Sequence, residues 1–232
     1  MGTKWLEQNK DAHKDKRMFI IGCGPSIANT DLSLIKDLTF SVNGIFLKGF
    51  IPDYYATISA DFWKFYLKEI IELRCKQKFI PEDMRCYVKD DGATTYINYR
   101  RPRSVLAPEH FSYEPHKYLE GGGTVLFVCF QIAYWLGVAE VILLGVDHNW
   151  AQEFPNTGSY KGSLYYPKGN DTVHFTKDYV PKGKYMHASV PQIEKAFRLG
   201  LEAFEKDGRT IVNATPGTQL KVIPTVRYED AV

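Results

Sequence analysis

Two short runs of uninterrupted apolar residues, Met18-Phe19-Ile20-Ile21 and Val141-Ile142-Leu143-Leu144, each end in a glycine. A strand that is apolar at every position has to be covered on both faces, the condition of a central strand in a parallel sheet. Parallel neighbours need crossover connections, and helical periodicity lies where those crossovers would fall. Phe62, Phe65, Tyr66, Ile70 and Leu73 recur at helical spacing over residues 61–73. Residues 125–136 predict an apolar helix closed by Gly137, and residues 190–206 an amphipathic helix stopped by Asp207-Gly208. Further strands are expected at 39–43, 54–59, 78–80, 85–88 and 210–213. The expectation is a single Rossmann-like, doubly wound α/β domain with a mainly parallel sheet over residues 17–232, after a polar lead-in at 1–16.

Two long segments interrupt the alternation. Residues 89–120 carry aromatics, Pro and His without a period and read as a loop, whose aromatics at 96–118 suit an acceptor site or a homo-oligomer contact. Residues 149–186, rich in Gly, Pro, Asn and Tyr, predict a mobile lid segment. The net charge is +2, from 29 basic and 27 acidic side chains, which gives no reason to expect nucleic acid as a partner. Four cysteines without a CxxC pair or zinc spacing read as reduced thiols. The N-terminus has no apolar signal core, and the long apolar stretch at 125–146 is interrupted by Gln131, Gly137 and Glu140. A cytoplasmic protein with no transmembrane segment follows. Peripheral contact at the inner membrane face stays open.

In a doubly wound sheet, ligands bind beyond the carboxyl ends of the strands. Gly22-Cys23-Gly24-Pro25-Ser26 follows the first strand and opens a helix, so it offers close backbone approach and free N–H groups to a phosphate. It is neither GxGxxG nor a P-loop, and a plain tight turn has the same sequence. Asn43, Ser59 and Asp61 fall at the ends of the next two strands and could read a base or ribose edge, or act as caps. Gly122, Gly123 and Thr124 at the start of the apolar helix are a second possible anion cradle, or a hinge. Asp147 and His148 end the strongest strand and could tune a proton or hold a sugar hydroxyl. His174 in the lid and His187 before the amphipathic helix are candidate general bases. Asn213 and Thr215 end the last strand on the same rim. No metal site is expected, since neither histidine spacing nor a DxD pair supports one.

In that order, the motifs resemble the MptE-like family, named for archaeal 6-hydroxymethylpterin diphosphokinase, from residue 19 to about 224. The resemblance rests on the GxGPS turn with Asp31-Leu32-Ser33, Val42-Asn43, Pro52-Asp53-Tyr54-Tyr55 and Gly122-Gly123-Thr124. It continues through Leu144-Gly145-Val146-Asp147-His148, His174-Phe175 and Asn213-Ala214-Thr215-Pro216-Gly217. More distantly the chain is similar to the bacterial sialyltransferases of glycosyltransferase family 42. That resemblance implies a CMP-activated donor held at Gly24, Ser26 and Asn43, and no metal cofactor. It implies a histidine base at the place of His187, and lid tyrosines (from Tyr160, Tyr165, Tyr166, Tyr179 and Tyr185) against the leaving phosphate. Cys23 replaces an asparagine of those enzymes, and His-Asn-Trp follows Asp147 where they have an aromatic pair.

The first expectation is therefore a glycosyltransferase of surface glycan synthesis that takes a nucleotide-activated sugar, a CMP-sugar being favoured, and a glycan or small-molecule acceptor. The second is a diphosphokinase acting on a pterin-like alcohol, with ATP and with Mg²⁺ held by Asp61 and Asp147. The third is a non-catalytic nucleotide-binding module on the same fold.

Overall fold

The computed structural model describes residues 3–102, 107–149, 163–165, 171–181 and 186–232; the side chains of Asp61, residues 163–165, Met186 and His187 lie outside the description. Eleven strands appear among these residues: β1 Arg17–Ile21, β2 Leu38–Val42, β3 Tyr54–Ala56, β4 Gln77–Pro81, β5 Thr94–Ile97, β6 Tyr99–Arg100, β7 Leu119–Glu120, β8 Glu140–Leu144, β9 Ser163–Tyr165, β10 Met186–Ala188 and β11 Thr210–Asn213. The α-helices are α1 Lys4–Gln8, α2 Ala60–Glu72, α3 Val125–Trp135, α4 Val190–Lys206 and α5 Tyr228–Ala231. Seven strands form one sheet in the order β11-β8-β1-β2-β3-β4-β5. Every pairing in it is parallel, so the sheet is parallel throughout. The Rossmann-like α/β expectation is met.

Burial explains the two apolar runs. Residues 18–21 of β1 and 141–144 of β8 are all buried, because β1 and β8 are flanked by strands on both sides and covered on both faces. Helix α3 is buried from Val125 to Ala133. It packs on β1, β2 and β3 and is covered in turn by α4, so no face of it meets water. Helix α4 buries Ile193, Ala196, Phe197, Gly200, Ala203 and Phe204, one stripe at three- and four-residue spacing. Gly200 allows the two helices to touch: a Cβ there would stand 2.5 Å from Phe130. Phe130, Phe197 and Phe204 are at most 1% exposed, and each such burial contributes about 1.5–3 kcal/mol.

Three readings of the sequence are corrected. Residues 85–88 are not a strand. They turn after a short 3₁₀ helix, with the N–H of Val88 bonded to Met84 O at 3.0 Å and both side chains buried. The sheet's outer strand is instead β5, inside the segment read as a loop, which also holds β6 and β7. The polar lead-in is packed: Leu6 is fully buried, Trp5 meets Tyr54 and Phe79 edge-on, and Trp135 Nε1 donates to Leu6 O at 2.7 Å. The lid expected at 149–186 lies mostly outside the described residues, apart from Asn149, β9, residues 171–181 and the start of β10. Among the described residues no helix is long and apolar enough to cross a membrane.

Candidate functional site

Strands β1 and β8 lie side by side with Ile21 in register with Leu144. The chain continues from β1 to β2 on one flank and from β8 to β11 on the other, so the strand order reverses between them. Ligand crevices of doubly wound sheets sit at such a point. A cavity of about 310 Å³ opens there, beyond the carboxyl ends of β1, β2, β3 and β8. Its wall takes Gly22, Cys23 and Gly24 from the first turn, Asn43 after β2 and Ser59 after β3. The far side comes from Gly123, Thr124 and Val125 at the head of α3, Asp147 and His148 after β8, and Val173, His174 and Tyr179 from the 171–181 segment.

The first turn is not an open anion cradle. Gly22 N–H donates to Leu144 O at 2.7 Å and Gly24 N–H to Gly145 O at 2.9 Å, continuing the β1–β8 ladder past the strands. Asp147 then reaches back across it. Its Oδ1 accepts from Ser26 N–H at 3.0 Å and its Oδ2 from Ser26 Oγ at 2.9 Å. A Cβ on Gly24 would lie 1.9 Å from Asp147 Oδ2, so only glycine leaves room for this carboxylate. The helix that follows is a 3₁₀ turn, Pro25–Asn29. The chain's own carboxylate therefore takes the donors that the sequence reading offered to a phosphate, and neither Pro25 nor Ser26 lines the cavity. Burial raises the Asp147 carboxyl above its ordinary value, against the pull of the two Ser26 hydrogen bonds.

Asn43 has a left-handed backbone, φ 43°. Its carbonyl accepts from Tyr55 Oη at 2.8 Å, and its Oδ1 accepts from Thr57 Oγ1 at 3.0 Å. Thr57 Oγ1 accepts in turn from Trp63 Nε1 at 3.2 Å. With Oδ1 engaged, Asn43 offers the cavity its amide N–H donors. Ser59, not Asp61, caps α2, through Oγ to Phe62 N–H at 3.3 Å. The side chain of Asp61 lies outside the described residues.

At the head of α3, Thr124 is the cap, its Oγ1 accepting from Leu126 N–H at 3.2 Å. Gly123 has φ +71°, a value that favours glycine. Gly122 serves packing instead: a Cβ there would stand 2.5 Å from Ala196 of α4. The first amides of an α-helix have no intrahelical partner; that of Leu126 is taken by the Thr124 cap, and Thr124, Val125 and Leu126 line the same cavity as Asn43. Asn213 and Thr215 are buried away from it. Asn213 Nδ2 donates to Thr218 Oγ1 at 3.1 Å, its Oδ1 accepts from Thr215 N–H at 3.0 Å, and Thr215 Oγ1 accepts from Val146 N–H at 3.0 Å. These bonds tie the last strand's turn to the β8 turn and leave neither side chain a ligand role.

The imidazoles differ in setting. His148 is buried, with Nε2 3.3 Å from Glu194 Oε1, and burial holds it below the ordinary imidazole value despite that carboxylate. His174 Nδ1 lies 2.9 Å from Asp171 Oδ2, and its ring stacks on Tyr179 at 3.8 Å between centroids. His187 is the middle residue of β10, paired with Leu164, and its side chain is outside the description. Of the lid tyrosines, Tyr160, Tyr166, Tyr185 and the side chain of Tyr165 are also outside it. Tyr179 is buried, with its Oη accepting from Gly44 N–H at 3.1 Å.

The sequence reading missed Asp171 and Glu194, the carboxylate partners of the two described histidines. Asp171 left one local signal, its three-residue spacing from His174 across a turn. Glu194 left none.

No family model matches the chain, and no curated protein matches it. The resemblance to the MptE-like family therefore rests on its ordered motifs alone. Among solved structures the chain is similar to the sialyltransferase CstII from Campylobacter jejuni in complex with a substrate analogue, cytidine-5'-monophosphate. The identity is 14% and the TM-score 0.48, over 91% of this chain and 85% of that one. A likeness at this level leaves the function to be read from the site's own residues.

Proposed function

We propose that the cavity holds a nucleotide-activated sugar and that the chain is a glycosyltransferase, a CMP-sugar being the favoured donor. One observation carries the reading. The amide of Asn43 and the head of α3, with Gly123, Thr124 and Val125, border a single cavity at the point where the strand order reverses. N–H donors on one wall suit the acceptor atoms of a base or ribose, and helix amides on another suit a phosphate. The order of the sequence motifs supports the same choice of donor.

In this reading a histidine takes the proton of an acceptor hydroxyl as that oxygen bonds the anomeric carbon. The bond from the anomeric carbon to the phosphate oxygen breaks, and the nucleotide leaves with the electron pair. The α3 amides meet the charge that develops on the phosphate. His187 is the proposed base by its place before α4, with His148, His174 and Asp147 in supporting roles. No cofactor enters this chemistry.

The diphosphokinase reading needs Mg²⁺ held by Asp61 and Asp147. Both oxygens of Asp147 already accept from Ser26, which speaks against it.

Thermal denaturation with CMP or ATP, each with and without Mg²⁺, tests the proposal. CMP at a hundredfold excess over Kd is expected to raise the midpoint by about 5 °C whether or not Mg²⁺ is present. A shift by ATP that requires Mg²⁺ would move the assignment to the diphosphokinase. CMP binding without donor turnover would leave a nucleotide-binding module.

A further inference from the structure

His148 stands on strained backbone that its surroundings hold in place. Its φ is +56°, in the left-handed region where a glycine is unstrained and a side chain is not. Such a conformation persists only where neighbours over-determine it. Here the turn after β8 is fastened from both sides. On one side Val146 N–H donates to Thr215 Oγ1 at 3.0 Å, Thr218 Oγ1 to Val146 O at 2.7 Å, and Gln219 N–H to Asp147 O at 2.7 Å. On the other, Ser26 holds the Asp147 carboxylate.

The ring so placed lines the cavity and is set edge-on to Phe197, 6.5 Å between centroids. Its Nε2 faces Glu194 Oε1 at 3.3 Å, a carboxylate whose side chain is 39% exposed. An ionised carboxylate only accepts, so Nε2 of the neutral ring carries the hydrogen and Nδ1 keeps its lone pair. Nδ1 has no hydrogen-bond partner among the described residues. It is not sealed in either: among those residues the enclosed side-chain atom without a partner is His116 Nδ1. A lone pair on a fixed ring, open at a cavity wall, is matched to a ligand's hydroxyl.

We propose that His148 is a substrate-contacting residue, with Glu194 holding its ring as the Nε2–H tautomer so that Nδ1 accepts from a sugar hydroxyl of the bound nucleotide sugar. The hydroxyl half of this inference rests on the cavity being a nucleotide-sugar site; the positioning by Glu194 does not. The hydroxyl is that of the ribose or of the transferred sugar, and the experiment separates the two.

The full-length chain, with isotope-labelled imidazole nitrogens, is measured by NMR. His148→Asn identifies the signal, since asparagine tolerates the left-handed backbone, and His148→Gln does so if the first variant fails to fold. At about pH 8.5, where an ordinary imidazole is neutral, the expected result is Nε2–H with Nδ1 bare. Nδ1–H overturns the proposal. Glu194→Gln keeps an acceptor for Nε2–H and removes the charge, so His148 should titrate at lower pH than in the wild type. An unmoved titration overturns the role of Glu194.

CMP is then added to one sample and CMP-activated sialic acid to another. An Nδ1 resonance moved by both assigns the ribose, and one moved by the activated sugar alone assigns the transferred sugar. Binding of both by calorimetry with Nδ1 unmoved overturns the hydroxyl half. The ligand that moves Nδ1 should bind the folded His148 variant about tenfold more weakly, and equal affinity overturns that half as well. If neither ligand binds the wild type, the nucleotide reading falls and the hydroxyl half with it, while the positioning by Glu194, measured without ligand, stands.

Discussion

Both carboxylate oxygens of Asp147 are held by Ser26, one by its N–H at 3.0 Å and one by its hydroxyl at 2.9 Å. The two residues lie 121 positions apart in sequence, at the ends of adjacent central strands. Their contact closes the first turn to outside anions and shifts the phosphate reading to the head of α3.

The clamp predicts a coupled pair of variants. Asp147→Ala is expected to cost about 2 kcal/mol in urea denaturation, from the loss of two bonds to a carboxylate. Gly24→Ala forces its methyl against the same carboxylate and is expected to cost about 1–3 kcal/mol. In the double variant that clash is gone, so the costs should fall short of their sum by about 1 kcal/mol. Strict additivity would show that Asp147 does not occupy the turn in solution.

How much of this was legible depends on how far apart the partners lie. The runs at 18–21 and 141–144 announced central strands because burial on both faces leaves a local trace. Strand β5, Thr94–Ile97, went unread because an outer strand with two threonines carries a weak apolar signal. Residues 85–88 looked like a strand because Met84 and Val88 are buried, yet they are buried across a turn. The rim positions Asn43, Gly123, Thr124 and His148 follow from strand and helix ends, which periodicity locates. Ser26 was misassigned because nothing near it reveals Asp147, and Asn213 and Thr215 because polar turn residues give no hint that their bonds are all internal.

His148 makes stability depend on pH. Its folded value lies below the ordinary 6.5, mainly through burial. The unfolded chain therefore takes up the proton first, and stability declines as pH falls through 6.5 until the folded-state value is passed. His13 is lowered in the same direction and adds to the decline. His148→Gln should show a smaller loss of stability between neutral and mildly acidic pH, measured by urea midpoints across that range. An identical pH profile would contradict the assignment.

Thiol reactivity tests the packing of the 171–181 segment. Cys23 is buried against Tyr179, and burial pushes its thiol up to about 12. Cys86 is exposed. In the native chain Cys86 should react with a disulfide reagent about a thousandfold faster than Cys23. Tyr179→Ala should expose Cys23 and close most of that gap. A Cys23 that reacts readily in the wild type would show that the segment does not cover it.

Asn43 carries the proposed recognition of the nucleotide's acceptor atoms. Asn43→Gly keeps the left-handed backbone at low cost while removing the amide. Calorimetry should give about tenfold or weaker CMP binding in this variant, with a denaturation midpoint lowered by a few degrees, since the buried Thr57 hydroxyl loses its acceptor. Equal affinity would remove Asn43 from the binding surface.

The most direct measurement is a crystal structure of the chain grown with CMP. The account predicts nucleotide density inside the cavity between β1 and β8, with the phosphate against Thr124 and the α3 amides, a ring or ribose acceptor on Asn43, and Asp147 still bonded to Ser26. A phosphate seated on Ser26 with Asp147 displaced, or CMP bound away from that cavity, would contradict it.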